Sequence, residues 1–267
     1  MLRRSAAIAA VLVAAVPATA SALVPRQSGS NLFTTSTPGA ATGATFNFAF
    51  TNPENPNQKP HTINRIVVRY PAGTTFDNGA VPQCHATDAQ LEVQGDAACP
   101  PASKVGSGLA VSDTGSSGGP FPRYTQSAIS QFNGDNELIG VGTNKDIPAI
   151  KTVTHTKFNG TTASTNFPTF PGFPPPDPYT PLKSLNVFFP KRVENGRATE
   201  RTPRTCPAVG YWTIVTEFTY VDGVTQKVVS HSSCKRPGGG KPPGGGGKPP
   251  GGGGGNAGWH PTPDDPD

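Results

Sequence analysis

Asp113-Thr114-Gly115-Ser116 is the first stretch whose residue types suggest chemistry. Asp-Thr-Gly followed by Ser is the aspartic-protease signature, in which two carboxylates about 3 Å apart share one proton. The chain holds no second copy, so a homodimer would have to supply it. Gly118-Gly119-Pro120 follows, and the stretch reads as a turn. His61, His85, His155 and His231 are candidate bases for a Ser–His–Asp hydrolase, but no Gly-x-Ser-x-Gly elbow accompanies them. Val105-Gly106-Ser107-Gly108 comes close without the spacing, and the histidines read as surface or strand-edge residues. Asn133 to Glu137 offers oxygens to calcium without the spacing of a calcium loop. Tyr211 and Trp212, with Phe218 and Tyr220 beyond them, are the candidate ligand-binding residues, an aromatic platform for sugars. The alternative for Trp212, beside a cysteine in a β-rich run, is the core.

Four cysteines, Cys84, Cys99, Cys206 and Cys234, make an even set that suits two disulfides in an oxidising compartment. Three pairings are open. Cys84–Cys99 and Cys206–Cys234 are favoured, because each closes a local loop around expected strand ends. A zinc site is the rival, but no Cys-x-x-Cys occurs and only His85 is adjacent to a cysteine. The sequence assigns no catalytic residue, no metal ligand and no cofactor.

Residues 1–20 read as a secretory signal peptide: Arg3 and Arg4, an apolar run from Ala6 to Val16, then Ala18-Thr19-Ala20. The run is shorter than the roughly 20 apolar residues a membrane span needs, and no later stretch is apolar enough. The expectation is an exported, extracellular chain with no integral membrane segment after cleavage. The formal charge of +5 does not mark a nucleic-acid binder, since residues 21–234 hold 16 basic and 14 acidic residues. Lys191, Arg192, Arg197, Arg201 and Arg204 form the densest basic run. It reads as a solvated loop, with an acidic glycan or anionic polymer as the alternative.

The elements that must position these residues read as strands. Residues 21–44 are rich in Ser, Thr, Ala and Gly and are expected as a flexible leader, with a short strand near Asn31 to Thr35 and a candidate processing site at Arg26. Strands are then expected at 45–51, 63–70, 105–111, 126–132, 137–143, 152–158, 161–167 and 185–189. Residues 74–103 form an irregular connection, and Phe167 to Leu182 a Pro-rich loop. No amphipathic helix is evident. Thr205 to Cys234 reads as a hairpin about Asp222-Gly223, a type I′ signal that sets Val221 opposite Val224, Phe218 opposite Lys227, Glu217 opposite Val228 and Tyr211 opposite Cys234. The fold class is all-β, an antiparallel β-sandwich, immunoglobulin-like or jelly-roll-like, over residues 45–234. Residues 235–267, with Lys-Pro-Pro-Gly-Gly-Gly-Gly at Lys241 and Lys248, read as a disordered low-complexity tail.

Two stretches carry a resemblance. One is Pro82-Gln83-Cys84 with Cys99-Pro100-Pro101-Ala102-Ser103-Lys104-Val105-Gly106. The other runs from Leu185-Asn186-Val187-Phe188-Phe189-Pro190-Lys191 through Thr202-Pro203-Arg204-Thr205-Cys206-Pro207 and Tyr211-Trp212-Thr213 to Cys234. Both resemble a group of secreted proteins of actinobacteria that have no assigned activity. The resemblance implies an exported, disulfide-bonded β-domain and brings no catalytic residue with it. The functional expectation is a non-catalytic extracellular or envelope-associated protein, its partner a cell-envelope polymer or glycan. A carbohydrate-binding module using Tyr211 and Trp212, and a secreted hydrolase with dispersed carboxylates, are the alternatives.

Overall fold

The computed structural model describes residues 24–117, 122–172 and 178–235. Residues 1–23, with the expected signal peptide, and residues 236–267 of the expected tail lie outside the described residues. The strands are β1 (Gln27–Phe33), β2 (Ala44–Phe50), β3 (Ile63–Arg69), β4 (Thr75–Phe76), β5 (Lys104–Asp113), β6 (Tyr124–Asn133), β7 (Glu137–Asn144) and β8 (Lys151–Asn159). They continue with β9 (Thr162–Asn166), β10 (Leu182–Phe189), β11 (Val193–Glu194), β12 (Arg197–Ala198), β13 (Glu200–Arg201), β14 (Tyr211–Tyr220) and β15 (Thr225–Ser233). An α-helix, α1 (Asp88–Gln94), followed by two short 3-10 turns (Gly95–Ala98 and Pro101–Ser103), lies between β4 and β5.

The architecture is the antiparallel all-β one that the strand spacing predicts. Its two facing layers are the walls of a single rolled sheet. Among the described residues eleven strands pair in the order β1-β2-β10-β5-β6-β7-β8-β9-β3-β14-β15, and every pairing is antiparallel. An odd number of alternating strands leaves the two outer ones parallel. Those two meet: the Asn31 N–H donates to Ser230 Oγ and the Phe33 N–H to Ser232 Oγ, both at 3.1 Å, and the Arg26 N–H to Gln226 Oε1 at 2.9 Å. The partners advance together along both strands, as a parallel join requires. The edge donors of β1 are satisfied by inward-facing hydroxyls of β15, so the open edge is covered without a backbone ladder.

Alternation along the strands explains the core. In β14, Trp212, Ile214, Thr216, Phe218 and Tyr220 are buried while the residues between them are more exposed, as the period of two dictates. Across the interior Trp212 meets Phe33 edge-on at 5.7 Å, and Phe218 meets Phe48 at 4.9 Å and Phe50 at 5.6 Å. Burying each such ring contributes about 1.5–3 kcal/mol. This half of the ring is filled by side chains. Both favoured disulfides are present, Cys84–Cys99 and Cys206–Cys234.

Four local expectations are corrected. The leader is not loose where it reaches the sheet: β1 starts at Gln27, and Arg26 is 7% exposed. The irregular connection contains α1, closed by a capping box in which Thr87 and Gln90 bond each other's backbone N–H. The hairpin register is one residue off, with Phe218 opposite Gln226, Glu217 opposite Lys227 and Tyr211 opposite Ser233. Of the two turn residues only Gly223 has a positive φ, +84°. The Gly223 N–H bonds the Tyr220 carbonyl and the Tyr220 N–H bonds the Val224 carbonyl. That is a three-residue loop with a glycine bulge, and the added residue shifts the register.

Candidate functional site

The other half of the ring is hollow. Its inner wall is set by positions of one parity: Ile129 of β6, Leu138 of β7, Thr154 of β8, Thr165 of β9, Ile66 of β3 and Val187 of β10. They line a cavity of about 240 Å³ that is partly open to solvent. Two features of β7 and β8 make the room. Gly140 and Gly142 face inward on β7 and carry no side chain; Thr154 and Gln131 lean over Gly140, while Gly142 is bordered more loosely by Ile129 and Thr152. The neighbouring strand contributes Thr152, Thr154 and Thr156. On a packed wall, inner residues are buried and outer ones exposed. In β8 all residues from Lys151 to Thr156 are partly exposed, because the inner face looks into free space.

The two ends of the cavity differ. At one end Phe170, Pro181 and Leu182 approach, brought by the Pro-rich loop. At the other lies the small ribbon of β4 and β13, which pairs Phe76 with Glu200 and Thr75 with Arg201. The ribbon places the Phe76 ring against Tyr70 at 5.0 Å and Phe158 at 4.6 Å. It also places Glu200 among the residues that line the cavity. Glu200 is 8% exposed, and its Oε1 has no hydrogen-bond partner in the protein. Burial pushes its carboxyl up to about 8. Tyr70 is raised by burial and, next, by the nearby Glu200 charge. The basic run folds round this end rather than standing free. Arg197 forks onto Asp77 at 2.6 and 2.9 Å, and Arg201 donates to the Gly39 and Gly196 carbonyls.

A second group of ionisable side chains gathers where the chain enters the sheet. Arg26 donates to Asp222 at 2.7 Å, lies 3.6 Å from Glu54, and stacks 5.1 Å from the Tyr220 ring centre. His61 bonds Glu54 at 2.9 Å. A carboxyl acid–base pair needs one pKa raised and one low. Here both are lowered: Glu54 by its hydrogen bond to His61, and Asp222 because the Arg26 and Val224 hydrogen bonds outweigh its burial. The cluster ties the entry of β1 to the β14–β15 turn.

The other residues singled out in the sequence are committed to structure. Asp113 is buried, accepts from the Gly115 N–H at 2.9 Å and pairs with Arg123 at 3.3 Å; Gly115 has a φ of +77°. Asn133 donates its amide to the carbonyls of Asn78, Val81 and Pro82 at 2.8–3.1 Å, clamping the 78–84 segment. Among the described residues no three His, Cys, Asp or Glu side chains group as a metal site. Trp212 is 1% exposed and donates its indole N–H to the Thr205 carbonyl. Tyr211 points the opposite way and packs on His231 at 4.2 Å. Adjacent strand residues face opposite sides, so Tyr211 and Trp212 do not assemble one platform.

Among the described residues no helix is long and apolar enough to cross a membrane. No family model, curated protein or solved structure matches the chain. The chemistry of the hollow and of Glu200 is therefore what the functional reading rests on.

Proposed function

We propose that this is an exported, non-catalytic binding protein that holds a small apolar molecule inside the ring. The carrying observation is the cavity of about 240 Å³, whose lining is mainly aliphatic and aromatic with interspersed threonines and amides. An apolar cavity of about 150 Å³ suffices to take up benzene, so this one has room for a larger guest. Binding sites are typically hollows of this kind, apolar with a few placed polar groups. Export is supported by the N-terminal basic–apolar–small pattern and by the two disulfides. The resemblance to secreted actinobacterial β-domains points the same way. Catalysis is disfavoured because Asp113, Asp222 and Glu54 are engaged in internal pairs, and Glu200 has no paired donor to stabilise a developing charge.

The test is a titration with the fluorescent apolar probe phenylnaphthylamine. We expect saturable enhancement by the wild type. At Gly142 an added Cβ would lie 3.2 Å from Ile129 and 3.7 Å from Thr152, so a side chain fits with a small adjustment. Gly142→Leu should fill the hollow and weaken the probe about tenfold, a loss of about 1.4 kcal/mol, with the far-ultraviolet spectrum unchanged. A folded wild type that gives no enhancement, or a Gly142→Leu protein that binds equally well, refutes the proposal.

A further inference from the structure

The lining of the cavity has a charge pattern that narrows its ligand. Asp77 and Glu200 are its charged members; no Lys, Arg or His among the described residues lines it. Asp77 is already matched by the Arg197 fork. Glu200 is not matched. Its backbone is fixed by the pairing with Phe76 and by the Thr42 N–H, which donates to its carbonyl at 3.0 Å. Its carboxyl is buried in the lining, near enough to Tyr70 for its charge to raise that phenol, and across the ribbon from Phe76, whose ring meets Tyr70 and Phe158. Aromatic faces with an acidic oxygen and no competing cation are the surroundings that favour a positively charged nitrogen.

We propose that Glu200 is the recognition group for the protonated nitrogen of a lipophilic amine, whose hydrocarbon part fills the cavity. This rests on the binding reading given above and specifies its ligand. In the ligand-free protein, burial leaves the carboxyl mostly protonated at neutral pH. An entering ammonium converts it to a carboxylate and releases its proton to solvent. The buried oxygen gains the donor it lacks, and the ammonium exchanges water for a carboxylate and ring faces. Affinity for an amine therefore rises with pH through about 8. The ionisable groups facing Glu200 do not reverse this. Tyr70 is held neutral by burial, Asp77 is paired with Arg197, and Arg201, next on the strand, is engaged by carbonyls.

The experiment is displacement of bound phenylnaphthylamine by heptylammonium, heptanol and heptanoate at about pH 9, above the folded pKa of Glu200. The wild type should prefer heptylammonium to heptanoate by about tenfold or more. In Glu200→Gln the ratio of heptylammonium to heptanoate affinity should fall to about one, whatever the variant's absolute affinity for the probe. A carbon-13 measurement of the wild-type Glu200 carboxyl guards against a variant that does not fold; adding heptylammonium near neutral pH should shift it to its ionised position. Probe binding with no amine preference, a preference that survives in Glu200→Gln, or an unmoved carboxyl resonance overturns the role of Glu200 while leaving the cavity reading intact. No probe binding at all overturns both.

Discussion

His155 shows how a single side chain joins two parts of this molecule. Its Nε2 bonds Asp88 of α1 at 2.9 Å and its Nδ1 lies 3.1 Å from Glu137 of β7. Burial pulls its pKa down, but the two carboxylate hydrogen bonds outweigh that, and the imidazolium is held above its usual range. A raised folded pKa means that the charged form stabilises the fold. That contribution is fully present below the unfolded value of about 6.5 and fades as pH rises through the folded pKa. The urea midpoint of the wild type should therefore exceed that of His155→Gln at about pH 5, and the margin should shrink as pH rises. A margin that grows with pH would contradict this. Some residue roles were readable in advance. Asp113 as a turn followed from the missing second carboxylate. The aromatic platform expected of Tyr211 and Trp212 is not formed, since neighbours in a strand face opposite sides and Trp212 is in the core. Glu200 was not readable, because its burial depends on a two-residue strand whose partner, Phe76, is remote in sequence.

Between elements, the decisive contact is the join of β1 to β15. Strand existence was legible from alternation, and most of the long strands fall where periodicity put them. The sequence predicts a strand only near Asn31 to Thr35, because the glycine and serines of β1 (Gln27–Phe33) mask the pattern, and it gives no stripe for α1, a seven-residue helix that buries one residue, Leu91. Its capping box, Thr87 with Gln90, was the signal available. The serines of β15 gave no hint that they would satisfy another strand's backbone. Ser230→Ala and Ser232→Ala each leave a buried N–H of β1 without its acceptor, and each should cost about 1–3 kcal/mol in urea unfolding. The amides of Asn31 and Phe33 should exchange faster in the matching variant. Unchanged exchange at those amides would show that the hydroxyls do not close the ring.

At the scale of the whole molecule, local spacing predicted an antiparallel β protein and the pairing of Cys84 with Cys99 and Cys206 with Cys234. Each pair closes a loop short in sequence, 15 and 28 residues. Whether the strands form two separate sheets or one rolled sheet depends on contacts between β1 and the last two strands, which no local pattern encodes. The hollow half follows from that rolling together with inward glycines on β7. The parallel join also fixes where the two ends of the folded body emerge. β1 begins beside Gln226 and β15 finishes beside the far end of β1, so the polypeptide enters on one rim and exits on the opposite one. Nine residues of β15 at about 3.3 Å each separate those rims by about 30 Å. Circular permutants of this body, with Val24 and Lys235 joined, should assemble only when the connecting peptide exceeds about nine residues.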